Sequence, residues 1–453
     1  MKWSRMITVV VGLALLALVA CGSGELPEPT DAPSELAVAT TEPTVAPTET
    51  SPPTATTAPT ATAEPTETPT AAPTEVPTMT PRPTQTPTPA PNLTAAEIAA
   101  RLAALDTLVP IPMYRGNLQH TGVYSATGVP GPATLAWQFV SGGEVHSSPA
   151  LADGVVYFGS DDRHLHAVDA ATGEQLWQTD LSGNIFSSPT VADGYVFVGS
   201  SSGVFALDAT SGELLWQYRP NNNIRSIVSP AYADGILYTG FENERLVALD
   251  ASNGALIWQY TMTGIAEASP AVYNSTVYVA DRAGLFHAVD GVTGELKWSY
   301  KMVGRVFASA AILDGIIYMG DFGGNFYAMD AENGAILWSA EFSAQFVSSA
   351  AVTEDTVYVG NLDRNLYALD RASGAIRWQF EAEKEVYGSP SVAGDTVYVG
   401  SDDGNVYALD AATGALRWQQ ATGGFVGSSI AIGDNLVIFG SYDGTVYAVT
   451  SAE

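Results

Sequence analysis

Short runs of alternating apolar and polar residues fill the chain from about residue 133 to its end. Runs such as VVYFGS and HLHAVD have the two-residue period of half-buried strands, and turn residues separate them. The runs form repeating units with four predicted strands each: Ser-Ser-Pro-Ala, Val-Tyr-Val-Gly, Val-Tyr-Ala-Leu-Asp and a strand that contains Trp. This part of the chain is therefore predicted to be all-β.

The tryptophan of each unit gives the length of the repeat. Its copies are Trp137, Trp177, Trp216, Trp258, Trp298, Trp338, Trp378 and Trp418. Successive copies are 40, 39, 42, 40, 40, 40 and 40 residues apart. A period near 40 with several short strands in each unit is typical of the blades of a β-propeller.

A turn motif precedes each of these tryptophans from Trp177 onward, as in AVDAATGEQLW at residues 167–177. Its glycines are expected to have positive φ, which only glycine adopts without strain: Gly173, Gly212, Gly254, Gly294, Gly334, Gly374 and Gly414. Its aspartates stand where a carboxylate accepts the N–H groups of the turn: Asp169, Asp208, Asp250, Asp290, Asp330, Asp370 and Asp410. We interpret both sets, and the tryptophans, as structural docking residues and not as catalysts.

The motif Ala-x-Asp-x-x-Thr-Gly-x-x-x-Trp resembles the tryptophan-docking motif of the pyrroloquinoline-quinone (PQQ) type eight-bladed β-propellers. That family includes quinoprotein alcohol dehydrogenases and the lipoprotein subunit of the outer-membrane barrel-assembly machinery. The resemblance covers about Ala133 to Glu453, with Ser or Asn replacing the Thr in four of seven copies.

The two ends of the repeat are predicted to complete one blade. TLAWQF, at residues 134–139, is a Trp strand with no unit before it, and the unit after Trp418 supplies three strands and stops. Joining them closes the ring at eight blades and leaves no open circular edge. Thr450 replaces the Asp of the motif in this last unit, and we expect no docking turn to be needed there.

The first 92 residues predict export and a tether. Lys2 and Arg5 precede an apolar run from Met6 to Ala20, which is typical of a signal peptide over residues 1–20. The end of this run, Leu18-Val19-Ala20-Cys21, resembles the lipobox of bacterial lipoproteins. The resemblance implies that Cys21, the only cysteine, is lipidated. The alternative is an unmodified thiol within a signal peptide that is cleaved at another position. Residues 21–92 contain 17 of the 27 prolines and are predicted to form a disordered stalk.

Residues 93–132 are predicted to form a short helix and a segment that leads into the propeller. Thr94 and Glu97 have the spacing of a capping box, and apolar residues follow at Ile98, Leu102 and Leu105. Residues 113–122, MYRGNLQHTG, resemble the lead-in segment common in the family, which implies that they pack across the propeller. We expect His120, within this segment, to be a hydrogen-bonded structural residue and not a ligand.

The formal net charge of −30 disfavours nucleic-acid binding, because such a field repels phosphate backbones. We interpret the acidity as a source of solubility; attraction of a basic partner or of cations is the alternative. With Cys21 lipidated, no other cysteine is present to form a disulfide.

Catalytic chemistry is not indicated. The quinoprotein dehydrogenases of the family are expected to have an adjacent cysteine pair, a calcium held by Glu and Asn, an Asp base and long insertions, whereas this chain has one cysteine and nearly insertion-free blades. The five histidines fit no metal-ligand spacing: His164 and His166 alternate along one strand, and His287 takes a position that other units give to Tyr. We therefore predict no catalytic residue, no metal site and no cofactor.

The positions before Ser-Ser-Pro vary most from unit to unit. Aligning the units places His146, Phe186, Ile227, Glu267, Phe307, Val347, Tyr387 and Val426 in one ring, and Glu144, Asn184, Arg225, Ile265, Arg305, Gln345, Glu385 and Gly424 in another, two residues earlier. If the innermost strands line a central channel, as the resemblance implies, both rings lie near its mouth. Their mixed charges and aromatics make a candidate binding rim, with a merely solvated rim as the alternative.

The sequence thus predicts an exported, lipid-anchored, monomeric propeller on the extracytoplasmic face of a membrane, with one face for a protein or cell-envelope polymer. Three functions remain open. The first is a non-catalytic binding or scaffolding module, the second a PQQ-dependent oxidoreductase, and the third an extracellular sensor or adhesion head. The length of the stalk is a departure from the barrel-assembly lipoprotein.

Overall fold

The computed structural model describes residues 93–105, 109–220 and 224–452, so the predicted signal peptide and stalk lie outside the described residues. Within them the chain forms eight antiparallel blades of four strands, one of which gains a short fifth strand. This arrangement confirms the predicted eight-bladed β-propeller. No helix among the described residues has the length and apolar character needed to cross a bilayer.

Every blade has the same four-strand order from the axis outward. The innermost strands of blades 1 to 8 are Ala150–Ala152, Thr190–Ala192, Ala231–Ala233, Ala271–Tyr273, Ala311–Leu313, Ala351–Val352, Ser391–Ala393 and Ala431–Gly433. The second strands are Val155–Gly159, Tyr195–Ser200, Ile236–Phe241, Thr276–Ala280, Ile316–Gly320, Thr356–Gly360, Thr396–Gly400 and Leu436–Gly440.

The two outer positions complete each blade. The third strands are His164–Asp169, Gly203–Asp208, Arg245–Asp250, Leu285–Asp290, Asn325–Asp330, Asn365–Asp370, Asn405–Asp410 and Thr445–Ser451. The outermost strands are Gln175–Asp180, Leu214–Tyr218, Leu256–Thr261, Leu296–Lys301, Ile336–Glu341, Ile376–Glu381, Leu416–Ala421 and, for blade 8, Ala133–Val140. The innermost strands start after the Ser-Ser-Pro motif, and not within it as the sequence pattern predicted.

The ring closes where the two ends of the repeat meet. Ala133–Val140 pairs antiparallel with Thr445–Ser451, with Leu135 opposite Val449. Around the axis, serines at equivalent positions also link neighbouring blades, because the N–H of seven of these eight serines donates to the serine Oγ of the next blade. Seven such bonds are formed, at 2.8 to 3.0 Å, and the one from Ser429 to Ser148 joins blade 8 to blade 1.

Tryptophan docking links neighbouring blades. The indole Nε1 of Trp298, in blade 4, donates to the carbonyl of Ala331 in blade 5 at 3.2 Å, and the hydroxyl of Tyr278 donates to the same carbonyl. Gly334 has φ +75°, and a Cβ added there would lie 2.7 Å from the Trp298 ring. Asp330 Oδ1 accepts two N–H groups of the turn, at 2.8 and 3.1 Å. The turn is therefore shaped to receive the indole.

The same bond recurs for every tryptophan of the repeat. Trp137, Trp177, Trp216, Trp258, Trp338 and Trp378 donate to the carbonyls of Ala170, Ala209, Ala251, Gly291, Arg371 and Ala411. No Asp-Gly docking turn stands beside Thr450, and Trp418 therefore takes its acceptor from outside the repeat. The carbonyl of Val129, from the segment before the first strand, accepts its indole proton at 2.7 Å.

The helix Ala95–Ala104 packs on the propeller through its apolar face. Thr94 and Glu97 form the predicted capping box, and Ile98 and Leu102 are buried in a core cluster that includes residues of blades 3 and 4. Arg101 donates to the carbonyl of Asp234, which fixes the polar edge of the same helix.

The lead-in segment, residues 109–132, covers one mouth of the channel. It contains a short 3-10 helix, Tyr114–Gly116, and a strand, Val123–Tyr124, parallel to the innermost strand of blade 7. Its carbonyls accept N–H groups from innermost strands of blades 2, 4, 5, 6 and 7 at 2.7 to 2.8 Å. The segment therefore spans the ring and satisfies strand donors that would otherwise lack partners.

Arg115 and His120 anchor this cover from inside. The Arg115 guanidinium is buried and donates to the carbonyls of Ala350 and Pro390, which immediately precede two innermost strands. His120 is buried too, and the Tyr114 ring lies 5.3 Å from its imidazole. Burial, followed by the nearby Arg115 charge, lowers the pKa of His120 to about 3.

Trp298→Ala tests the docking role. We expect the free energy of unfolding to fall by about 3 kcal/mol, because the substitution removes a large packed ring and leaves its turn empty. Leu296→Ala, in the same strand, is the matched control: its side chain is 46% exposed, so the loss should stay below about 0.5 kcal/mol. Urea unfolding measures both, and a loss under about 1 kcal/mol for Trp298→Ala would contradict the assigned role.

His120→Asn tests the buried histidine, and Asn tolerates the positive φ of 54° at this position. The unfolded chain binds a proton at this histidine below about pH 6.5, whereas the folded chain does not until about pH 3. The stability that neutral His120 contributes is therefore lost as the pH falls through this range.

We expect the stability of the wild type relative to His120→Asn to decline by about 1.4 kcal/mol per pH unit between about pH 6 and pH 4. Urea unfolding of both proteins at several pH values measures this slope. A difference that does not change with pH would show that His120 is not held neutral in the folded chain.

Candidate functional site

The mouth opposite the lead-in segment is bordered by the extended segments that run into the innermost strands. In blade 1, Glu144 and His146 flank Val145, which is fully buried. The N–H of Asp161, in the turn between the second and third strands, donates to the carbonyl of Glu144 at 2.9 Å. This bond recurs in all eight blades at 2.7 to 3.1 Å, so each blade places three positions on this mouth.

We call this surface the rim. Its first ring is Glu144, Asn184, Arg225, Ile265, Arg305, Gln345, Glu385 and Phe425. Its second ring is His146, Phe186, Ile227, Glu267, Phe307, Val347, Tyr387 and Gly427. Its third ring, which sequence reasoning missed, is Asp161, Ser201, Glu242, Arg282, Phe322, Leu362, Asp402 and Tyr442. Each member of the third ring follows its second-ring residue by fifteen positions, and that constant spacing is the signal that could have found it.

The alignment of the last blade is corrected by one residue. Val426 is fully buried and corresponds to Val145, whereas Phe425 and Gly427 occupy the rim. The N–H of Tyr442 donates to the carbonyl of Phe425, and not to that of Gly424. The second serine of the motif, Ser429 in this blade, is present in every unit and gives the correct alignment.

Blades 7, 8 and 1 make one sector of the rim acidic and aromatic. The His146 ring lies 4.1 Å from the Tyr442 ring and 5.2 Å from the Phe186 ring. Tyr387 and Phe425 are 43% and 45% exposed, which is high for aromatic residues. Glu385 and Asp402 on blade 7 and Glu144 and Asp161 on blade 1 place carboxylates on both sides of the blade 8 rings.

The carboxylates of this sector repel one another. Burial, followed by the neighbouring Glu385 charge, raises the pKa of Asp402 to about 6. Burial also raises the pKa of Tyr442 to about 12, with Asp402, Glu144 and Asp161 adding to the shift. Lys384 is the nearby cation, and its Nζ lies 5.2 Å from the Phe425 ring centre.

Blades 3, 4 and 5 carry the basic sector. Arg225 forms two hydrogen bonds with the Glu242 carboxylate, at 2.5 and 2.6 Å. Arg282 lies 3.2 Å from Glu267. Burial raises the pKa of Glu267, and the charges of Arg282 and Arg305 oppose this shift only in part. The sequence predicted Arg225, Glu267 and Arg305 as separate rim residues, and the structure places them on the neighbouring blades 3, 4 and 5.

The remaining candidates lie on the same surface. Phe307 contacts Phe322 edge to face at 5.2 Å, and Phe322 is 39% exposed. Gln345 is half-buried, and its carbonyl accepts the N–H of Leu362. Charged or aromatic groups therefore lie on the rim of seven blades, whereas blade 6 contributes Gln345, Val347 and Leu362.

A histidine and carboxylate pair away from the rim has a structural role. His287 Nε2 lies 3.1 Å from Asp281 within blade 4, and Nδ1 lies 3.1 Å from the hydroxyl of Tyr260 on the outermost strand of blade 3. The equivalent pair in blade 5 is Tyr327 with Asp321, at 3.0 Å. His287 thus takes the place of a tyrosine in a repeated packing interaction.

The rim does not match a quinone site as the family resemblance describes it. The resemblance implies two adjacent cysteines at such a site, whereas the single cysteine, Cys21, precedes the propeller by more than a hundred residues. The axial space at the other mouth is occupied by the Arg115 side chain, which already donates to two carbonyls.

A scan of protein families finds one description for the entire propeller: outer membrane protein assembly factor BamB, matched over residues 131–269, 263–379 and 362–453. The chain belongs to the BamB family. A search of curated protein sequences finds no significant match.

Solved structures share the fold of this BamB-family chain at low sequence identity. BamB from Moraxella catarrhalis is 20% identical with a TM-score of 0.61, covering 70% of this chain and 99% of its own. A europium-containing methanol dehydrogenase is 14% identical with a TM-score of 0.68, covering 78% and 100%. Quinohemoprotein alcohol dehydrogenase from Comamonas testosteroni is 16% identical with a TM-score of 0.66, covering 79% and 84%. At these identities the likeness describes architecture alone.

Proposed function

We propose that the chain is a non-catalytic binding or scaffolding module of the cell envelope, which holds a protein or polymer partner on its rim. Membership of the BamB family supports a scaffolding role. The fold also serves dehydrogenases, so the argument depends on the surface and not on the architecture.

The asymmetry of the two mouths carries the proposal. One mouth is spanned by the lead-in segment, which bonds to five innermost strands. The opposite rim exposes Tyr387 and Phe425 in its acidic sector and Phe322 in its basic sector. Aromatic residues and arginines are the residue types enriched where proteins bind one another. Sectors of opposite charge would fix the orientation of a partner on the ring.

The location follows from the first 92 residues. A signal peptide over residues 1–20 and lipidation at Cys21 would place a monomeric propeller on the extracytoplasmic face of a membrane, in the periplasm or at the cell surface. A stalk over residues 21–92 with extended polyproline geometry would reach on the order of 200 Å at most. The proline-rich stretch thus supports a domain that acts at a distance from its anchor.

Cys21→Ser tests the anchor in the full-length chain. We expect the variant to leave the membrane fraction, because a thioether-linked lipid cannot form on serine. Fractionation followed by detection of the chain measures this. Retention of the variant at the wild-type level would contradict lipidation as the attachment.

The oxidoreductase alternative requires a quinone and a calcium at the channel. A solved quinohemoprotein alcohol dehydrogenase with the same fold supports this alternative, although the rim lacks the cysteine pair expected of such a site. An extracellular sensor or adhesion head would use the same exposed rim, and only the partner would differ. The crosslinking experiment below separates rim binding from binding elsewhere on the propeller.

A photo-activatable residue placed at Phe322 or Phe425 in the full-length protein tests rim binding in native membranes. Leu176, on an outermost strand and 52% exposed, is the matched control position. We expect the same discrete partner adduct from both rim positions and none from Leu176. Arg305→Glu should weaken the adduct from Phe322, because it reverses a charge in the neighbouring first ring. Equal adducts from all three positions, or adducts from Leu176 alone, would contradict the proposal.

A further inference from the structure

Three groups with metal-ligating atoms meet on the rim of blade 1. Glu144 and His146 come from the segment before the innermost strand, and Asp161 comes from the turn after the second strand. Their ligand atoms all lie within 4.8 Å of one another. His146 Nε2 is 3.1 Å from Glu144 Oε2 and 3.7 Å from Asp161 Oδ2.

The backbone fixes this convergence. Glu144 and His146 share one face of an extended segment because Val145, between them, is fully buried. The hydrogen bond from the Asp161 N–H to the Glu144 carbonyl, at 2.9 Å, holds the turn against that segment. Contacts with the Tyr442 and Phe186 rings restrict the imidazole. The three groups therefore meet without a loop having to move.

The spacing suits a single ion. Zinc binds histidine nitrogen and carboxylate oxygen at about 2.0–2.2 Å, so ligands around a tetrahedral ion lie roughly 3.3 Å apart. The two distances from His146 Nε2, 3.1 and 3.7 Å, bracket this separation. Imidazole favours zinc, copper, nickel and cobalt over calcium or magnesium, which prefer oxygen ligands only.

In the described part of the chain, these two carboxylates face the His146 imidazole, and no lysine or arginine forms an ion pair with them. Asp161 Oδ1 is buried and forms no hydrogen bond in the described part of the chain, although Asn184 interacts with the same carboxyl group. A buried carboxylate oxygen without a donor is costly, and a metal ion would satisfy it.

We propose that Glu144, His146 and Asp161 form a binding site for a divalent transition-metal ion of the zinc class on the rim. Three protein ligands leave a coordination position for water or for a donor group of a bound partner. All three ligands come from this chain, so metal binding can be tested without the proposed partner.

Titration of the full-length protein without a polyhistidine tag tests the site. After treatment with a chelator and its removal, Zn²⁺ is added in a calorimeter, and Co²⁺ is added in a visible absorption experiment. We expect one equivalent of Zn²⁺ to bind, and Co²⁺ to give ligand-field bands that Zn²⁺ abolishes. Cys21 is retained in every variant, so differences between variants arise from the rim.

His146→Asn should abolish both signals, and Asp161→Asn should weaken Zn²⁺ binding by at least about tenfold. His164→Asn is the matched control, because His164 also lies beside a carboxylate, 3.5 Å from Asp162, but outside the group of three. It should bind as the wild type does. Circular dichroism checks that each variant is folded.

Two results would overturn the proposal. The first is a wild-type protein that binds no Zn²⁺ below about 100 µM, which would leave His146 as an ion-pair partner of the two carboxylates. The second is equal binding by the wild type and the folded His146→Asn variant, which would place the metal elsewhere.

Discussion

The bond between each tryptophan and the turn of the next blade is the interaction on which the rest of the structure depends. A four-stranded blade buries little surface by itself, so stability must come from contacts between neighbours. The indole supplies apolar area and a hydrogen bond together, and Gly334 shows why the receiving turn must lack a side chain. Val129 extends the same rule to the blade whose own turn is missing, because Trp418 would otherwise bury an unsatisfied donor.

Closure of the ring creates two mouths with different properties. Five innermost strands carry N–H groups that donate to carbonyls of the lead-in segment, and Arg115 is fixed among backbone carbonyls. The segments before those strands form the rim, where each blade contributes side chains that the packing of the blades does not require. One mouth is therefore committed to structure, while the other is available for recognition.

The sequence predicted the features that repeat. The tryptophan period and the Asp and Gly turns predicted the blades, and the orphan strand near Trp137 predicted the closure. It could not predict the acceptor for Trp418, because Val129 lies outside the repeat and docks through a backbone carbonyl. The buried Arg115 was missed for a similar reason, since arginine in a lead-in segment gives no signal that it will enter the ring.

The rim was predicted only in part. Two of its rings follow from residues beside the serines, but the third comes from turns that only the folded blade brings alongside them. Asp161 illustrates the consequence, because histidine spacing alone does not reveal a carboxylate fifteen residues away in sequence and 3.7 Å away in space. The partner of the rim depends on a second molecule, which no pattern in this chain encodes.

The most direct test of the central claim, a binding module without catalysis, is calorimetric titration of the purified protein with PQQ and calcium, together with a dye-linked alcohol oxidation assay. The account predicts neither stoichiometric PQQ binding nor turnover, since the channel lacks a cysteine pair and one mouth is closed by the lead-in segment. Stoichiometric binding accompanied by turnover would contradict it and make the rim the entrance to an active site.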